Sequence, residues 1–166
     1  MVLLHGLFGS GNNLGALARA LAGSRRVYSV DLPNHGRSGW LEDATLATMA
    51  GALAGWMNHQ GLQQAQFVGH SLGGKVAMQL ALAQPHIVSA LVVADIAPVE
   101  YPPTGGRTDD PDEEASPFAA FIAAMRGLDL AALRTREDAD AALRGGVPSD
   151  AVRAFLLQSL VRDGGG

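Results

Sequence analysis

The sequence contains no cysteine. Disulfides, a thiolate nucleophile and cysteine-ligated zinc are therefore excluded at the outset. A basic excess is missing too. Twelve Lys and Arg stand against sixteen Asp and Glu, a net charge of −4, and the basic residues are scattered. A nucleic-acid partner would select for a basic patch, so that class is set aside. No run approaches the roughly 20 apolar residues that span a bilayer, which argues against a membrane partner. The opening MVLLHGLFG has no basic n-region and only four apolar residues before His5, so it does not read as a secretory leader. A cytoplasmic protein is the expectation.

What is present is 166 residues, 48% of them hydrophobic, enough for a domain with a sizeable core. Short Val- and Leu-rich runs at 2–4, 26–30, 65–68 and 90–94 show little polar alternation. That pattern fits strands buried on both faces of a parallel sheet. Helix-like runs lie between them. One is capped by Asn12 or Asn13 and runs through Leu21. One spans about Thr45 to Asn58, with Gly61 as a stop. One spans Leu72 to Ala83 and is ended by Pro85. The strand–helix alternation predicts right-handed crossovers and a doubly wound α/β sheet.

After Asp95 the character changes. APVEYPPTGGRTDDPDEE is rich in Pro, Gly and acid, and only helices are expected beyond it. Ser116-Pro117 is a helix start. Phe118, Phe121, Ile122 and Met125 then share one apolar face. Thr135 with Asp138 has the spacing of a capping box, and Ser149 can cap the last helix. The predicted division is a core over 1–100, an acidic loop over 101–115 and a helical region over 116–166.

Gly69-His70-Ser71-Leu72-Gly73 is G-x-S-x-G between a predicted strand and a predicted helix, the context of a nucleophile elbow. The sharp turn would lift the Ser71 hydroxyl clear of the sheet, over a helix N-terminus that favours developing negative charge. The same stretch also spells most of a phosphate-binding loop, Gly69 to Lys75. Val76 stands where that motif needs Ser or Thr, so nucleotide binding is set aside. HGLFGSGNN follows the first strand, and an acyl-transfer site needs two amide donors on its oxyanion. Leu72 is the candidate for one; Leu7, or else Phe8, is the candidate for the other. Asp95 closes the fourth strand, where an acid can orient an imidazole serving Ser71; an N-cap or loop-fixing role is the alternative. His35 reads as a loop-fixing residue, and His59 and His86 as surface residues. His70 is expected to turn away from its neighbour's hydroxyl.

The segments HGLFGS, VDLPNHGRS, GHSLGGKVAM, DIAPVEY and AVRAFLLQSLV, in this order, resemble the α/β-hydrolase superfamily, in particular its YbfF-like and ABHD11-like serine esterases. The resemblance implies a carboxylesterase or thioesterase acting on a small acyl ester or thioester, with no cofactor and no metal. It places the nucleophile at Ser71, the acid at Asp95 and oxyanion donors at Leu7 and Leu72. The helices after residue 115 become a cap, with Phe8, His70, Phe118 and Phe121 as the expected substrate contacts. The resemblance also implies a catalytic histidine after the acid, whereas no histidine follows His86. A chain truncated at both ends and poorly active alone is the expectation, with open sheet edges that favour self-association. A non-catalytic binding module and an acyltransferase remain open as alternatives.

Overall fold

The computed structural model describes residues 1–99 and 117–161. Two compact units divide the chain at Pro98/Val99. The expected acidic loop over 101–115 and the Ser116 helix start lie outside the described residues.

The first unit is built on four strands, β1 (Val2–Leu4), β2 (Tyr28–Val30), β3 (Ala65–His70) and β4 (Val88–Ala94). All neighbours are parallel, in the order β2-β1-β3-β4. This is the expected α/β sheet. Strand order reverses between β1 and β3, and such a switch point opens a crevice at the carboxyl ends of the strands. Val2, Leu3 and Leu4 are fully buried. Successive side chains alternate faces, so β1 is covered on both sides. β2 and β4 are the edges of this sheet, and Val92 on β4 is 54% exposed. β2 is shorter than expected because β1 offers it only three partners, Val2 to Leu4 against Tyr28 to Val30.

Helices α1 (Gly15–Ala22), α2 (Leu46–His59) and α3 (Leu72–Ala83) alternate with the strands. The cap of α1 differs from expectation. Ser10 precedes a 3-10 turn over Gly11–Leu14, and α1 continues from it. Asn13 contributes by accepting the Ser10 amide at 2.6 Å. Thr45 caps α2 through the Thr48 amide, and Gly61 just beyond adopts the left-handed conformation of a helix stop. Met49, Leu53 and Met57 of α2 join Val76 and Leu80 of α3 and Phe67 of β3 in one core. Each such side chain contributes about 1.5–3 kcal/mol by leaving water.

The second unit carries α4 (Phe118–Arg126), α5 (Arg136–Leu143) and α6 (Asp150–Leu156). The Thr135–Asp138 capping box forms: each backbone N–H donates to the other's side chain, at 2.8 and 3.1 Å. Ser149 caps α6 through the Val152 amide. Ala139, Leu143 and Leu157 form the centre of this unit, with Met125, Leu128 and Leu133 against them. Arg153 is 2% exposed, a burial that the sequence analysis did not anticipate. Its guanidinium binds the Asp140 and Asp150 carboxylates and the Val147 and Pro148 carbonyls.

Candidate active site

Four non-glycine residues among those described adopt positive φ: Phe8, Asn34, Ser71 and Asp95. They follow β1, β2, β3 and β4 respectively. In a parallel sheet those positions share one edge, so the strained backbone gathers at the carboxyl ends of the strands. Each such conformation costs on the order of 1 kcal/mol or more and persists where the surroundings hold it.

Ser71 sits between β3 and α3 with φ 50° and ψ −115°. Its amide donates to the Ala94 carbonyl at 2.9 Å, which ties the bend to the end of β4. The Gly73 amide donates to the His5 carbonyl at 3.0 Å, which ties the first turn of α3 to the β1 loop. Leu72 opens α3, so its N–H has no acceptor within the helix. Both motif glycines are required by close backbone approach. A β-carbon on Gly69 would stand 2.5 Å from the Gly73 carbonyl carbon. One on Gly73 would stand 2.7 Å from the His5 carbonyl oxygen.

The β1 loop is held by a histidine that the sequence reading left without a role. His5 is 1% exposed. Its Nε2 accepts the Leu32 amide at 3.0 Å, so the ring proton is on Nδ1, which donates to the Gly6 carbonyl at 2.8 Å. The Gly9 amide donates to the same carbonyl, which closes a turn around Leu7 and Phe8. His35 fixes the neighbouring loop: its Nδ1 meets the Pro33 carbonyl at 2.9 Å and its ring packs on His5. Asp31 accepts the Gly11 amide at 2.7 Å and the Arg37 amide at 3.0 Å. Burial opposes its ionisation, yet these two amides prevail and hold the carboxyl below its usual value.

Burial, with His35 close by, pushes the His5 imidazole below its ordinary value of 6.5. The folded chain therefore binds this proton less readily than the unfolded chain. The stabilisation is fully present above about pH 6.5 and is lost as pH falls towards the lower folded value. Thermal melts are expected to show a midpoint that declines below pH 6.5, and His5→Gln should flatten that decline. An equal slope in the variant would remove His5 as its source.

Asp95 follows β4 directly, and its carboxylate Oδ2 lies 3.4 Å from His70 Nε2. The two side chains are 82% and 48% exposed. On its other side the His70 ring lies over Gly6, so the ring and the serine share the space above that glycine. Phe118 and Phe121 stand in the second unit, edge to face at 6.3 Å. Among the described residues no group of three or more His, Asp or Glu is placed to hold a metal ion. No described helix is long and apolar enough to cross a membrane.

A family profile described as the alpha/beta hydrolase fold matches residues 1–154. The chain belongs to the α/β-hydrolase family. Within that family it is 41% identical to the mouse (Mus musculus) sn-1-specific diacylglycerol lipase ABHD11, over 99% of this chain and 52% of the relative. It is 36% identical to esterase YbfF of Escherichia coli, over 97% of this chain and 59% of the relative. A solved marine microorganism esterase superposes with a TM-score of 0.88 at 35% identity, covering 98% of this chain and 60% of that one. The chain thus spans between half and three fifths of the length of these α/β-hydrolases.

Proposed function

We propose that this chain hydrolyses a small acyl ester or thioester through an acyl-enzyme on Ser71. The observation that carries the reading is the strained Ser71 backbone at the carboxyl end of β3, capping α3. Ser71 Oγ attacks the acyl carbon. The Leu72 amide, at the positive end of α3, and the Leu7 amide, in the loop that His5 holds, receive the oxyanion. Asp95 orients the imidazole that takes the serine proton. Collapse expels the alcohol or thiol, and water then releases the acid. The names of the relatives, an esterase and a diacylglycerol lipase, support an ester substrate.

The five histidines are His5, His35, His59, His70 and His86, and none follows Asp95. The family resemblance puts the base after the acid, so turnover by this chain is expected to be slow. Loss of a triad member lowers kcat by roughly 10⁴–10⁶. A fluorophosphonate probe tests the nucleophile without requiring turnover. Peptide mass spectrometry is expected to find the label on Ser71, and no label in Ser71→Ala. A chain that takes no label on Ser71 would be a hydrolase fold without a competent nucleophile, that is, a binding module.

A further inference from the structure

Two loops at the carboxyl edge of the sheet grip each other by exchange. The β1 loop offers the His5 imidazole to the Leu32 amide, at 3.0 Å. The β2 loop offers the Asp31 carboxylate to the Gly11 amide, at 2.7 Å. The segment from His5 to Gly11 is thereby pinned to the β2 loop at both its ends. Phe8 lies between the pins with φ 62°. A non-glycine residue stays in that region only where its surroundings over-determine it. The start of the same segment borders the nucleophile: a β-carbon on Gly6 would stand 3.4 Å from Ser71 Cβ. A carboxylate suits the far pin because it divides its oxygens. Oδ1 accepts the Gly11 amide, and Oδ2 accepts the Arg37 amide of its own loop at 3.0 Å. These two amides favour the ionised form, which only accepts.

We propose that Asp31 is a positioning residue for the oxyanion donor of the β1 loop. The proposal rests on Ser71 being the nucleophile and the Leu7 amide a donor. Asp31 acts through the Gly11 amide rather than on substrate. While the carboxylate holds that amide, the turn around Leu7 and Phe8 has no slack, and the Leu7 N–H keeps one direction. When the pin is lost, Phe8 relaxes to negative φ. That rotation carries the neighbouring peptide planes with it, and the donor loses its aim. An oxyanion develops only as the acyl carbon is attacked. The cost of a misdirected donor therefore falls on the chemical step and not on binding.

The test is the labelling of Ser71 by an alkyl fluorophosphonate, whose phosphonyl oxygen takes the place of the oxyanion. Its rate is resolved into a maximal rate and a half-saturating concentration. Asp31→Asn keeps the shape of the side chain but has one accepting oxygen for two amides. It should lower the maximal rate roughly tenfold, short of the roughly 10²–10³ that follow outright removal of an oxyanion donor, and leave the half-saturating concentration unchanged. Gly11→Ala reaches the same contact from the other loop. Its β-carbon would stand 3.0 Å from the Ser29 carbonyl oxygen, which displaces the amide while Asp31 still holds Arg37. The same selective loss is expected, and this variant carries the test if Asp31→Asn does not fold. Ser38→Ala is the control. It deletes the 2.6 Å bond from Ser38 Oγ to the Asp31 carbonyl, loosening the β2 loop without touching the carboxylate, and should label at the parental rate. A loss in Ser38→Ala equal to that in Asp31→Asn would make Asp31 a merely structural part of its loop and overturn the proposal. Parental maximal rates in both Asp31→Asn and Gly11→Ala would also overturn it and leave the nucleophile standing. A parent that takes no label on Ser71 would bring down the nucleophile reading and this proposal together.

Discussion

Gly73→Ala is expected to destabilise the first unit by about 3 kcal/mol, the upper part of the usual range for forcing an extra carbon into a packed interior. Its β-carbon would stand 2.6 Å from the Leu4 carbonyl carbon and 2.7 Å from the His5 oxygen. Real β-carbons do not make such contacts, and the obstacle is backbone, which has no rotamer to change. α3 would have to retreat from β1, lengthening the 3.0 Å bond from the Gly73 amide to the His5 carbonyl. β1 lies between β2 and β3, so the displacement reaches the middle of the sheet. Domains are stable by only about 5–15 kcal/mol, and a loss of this size lowers the midpoint by roughly 10–20 °C. Labelling of Ser71 should fall as well, because the same shift moves the helix N-terminus. Gly55→Ala in α2 is the control. Nothing lies within 4 Å of its β-carbon position, so the gain in helix propensity should stabilise the chain by up to about 1 kcal/mol. A Gly73→Ala midpoint equal to that of the parent would mean that α3 is not seated on β1 as described.

Arg153→Ala is expected to disorder the α5–α6 region of the second unit. The guanidinium donates to Asp140 at 2.8 Å, to the Val147 carbonyl at 3.0 Å and to the Pro148 carbonyl at 2.9 Å, and it also reaches Asp150. One planar group thereby joins the middle of α5, the loop before α6 and the first turn of α6. Its removal leaves the Val147 and Pro148 carbonyls without their donor and leaves Asp140 with Arg144 alone around a buried site, an arrangement that proteins avoid. Amide exchange in α5 and α6 should accelerate roughly tenfold or more, as expected when local opening becomes easy. Arg153→Lys should behave nearly as badly, because an ammonium cannot match a fork spread over carboxylates and carbonyls. Paired with Arg153, Asp140 is held below the usual carboxylate value. Its contribution is present at neutral pH and is lost as pH falls through that lowered value. Unchanged exchange in Arg153→Ala would show that hydrophobic contacts alone hold these helices.

Much of the candidate site is legible in order and spacing. G-x-S-x-G can be read because the turn is local: Gly69 and Gly73 are demanded by backbone atoms a few residues away or in the adjacent strand. Asp95 can be read because it ends an apolar run, and the residue after such a run falls at the edge of a parallel sheet. Thr135 and Asp138 can be read because a capping box needs only three residues of separation. The clamp made by His5 could not be read, since its partner Leu32 lies 27 residues away across β1 and β2. Arg153 gave a faint signal, an arginine three residues before buried Leu156 with Asp150 three residues earlier. Its essential partner Asp140 lies 13 residues back on another helix.

The residue order of this chain was enough to settle its strands, most of its helix ends, its hydrolase family and the serine on the tight bend. Those depend on apolar periodicity and on backbone strain over a few neighbouring residues, and a linear string records both. The pairing of His70 with Asp95, the clamping of the β1 loop by His5 and the burial of Arg153 were decided only by the fold. Each joins groups that become neighbours when strands take the order β2-β1-β3-β4 or when helices pack together. Polar contacts of that kind have no fixed sequence separation, so nothing periodic announces them.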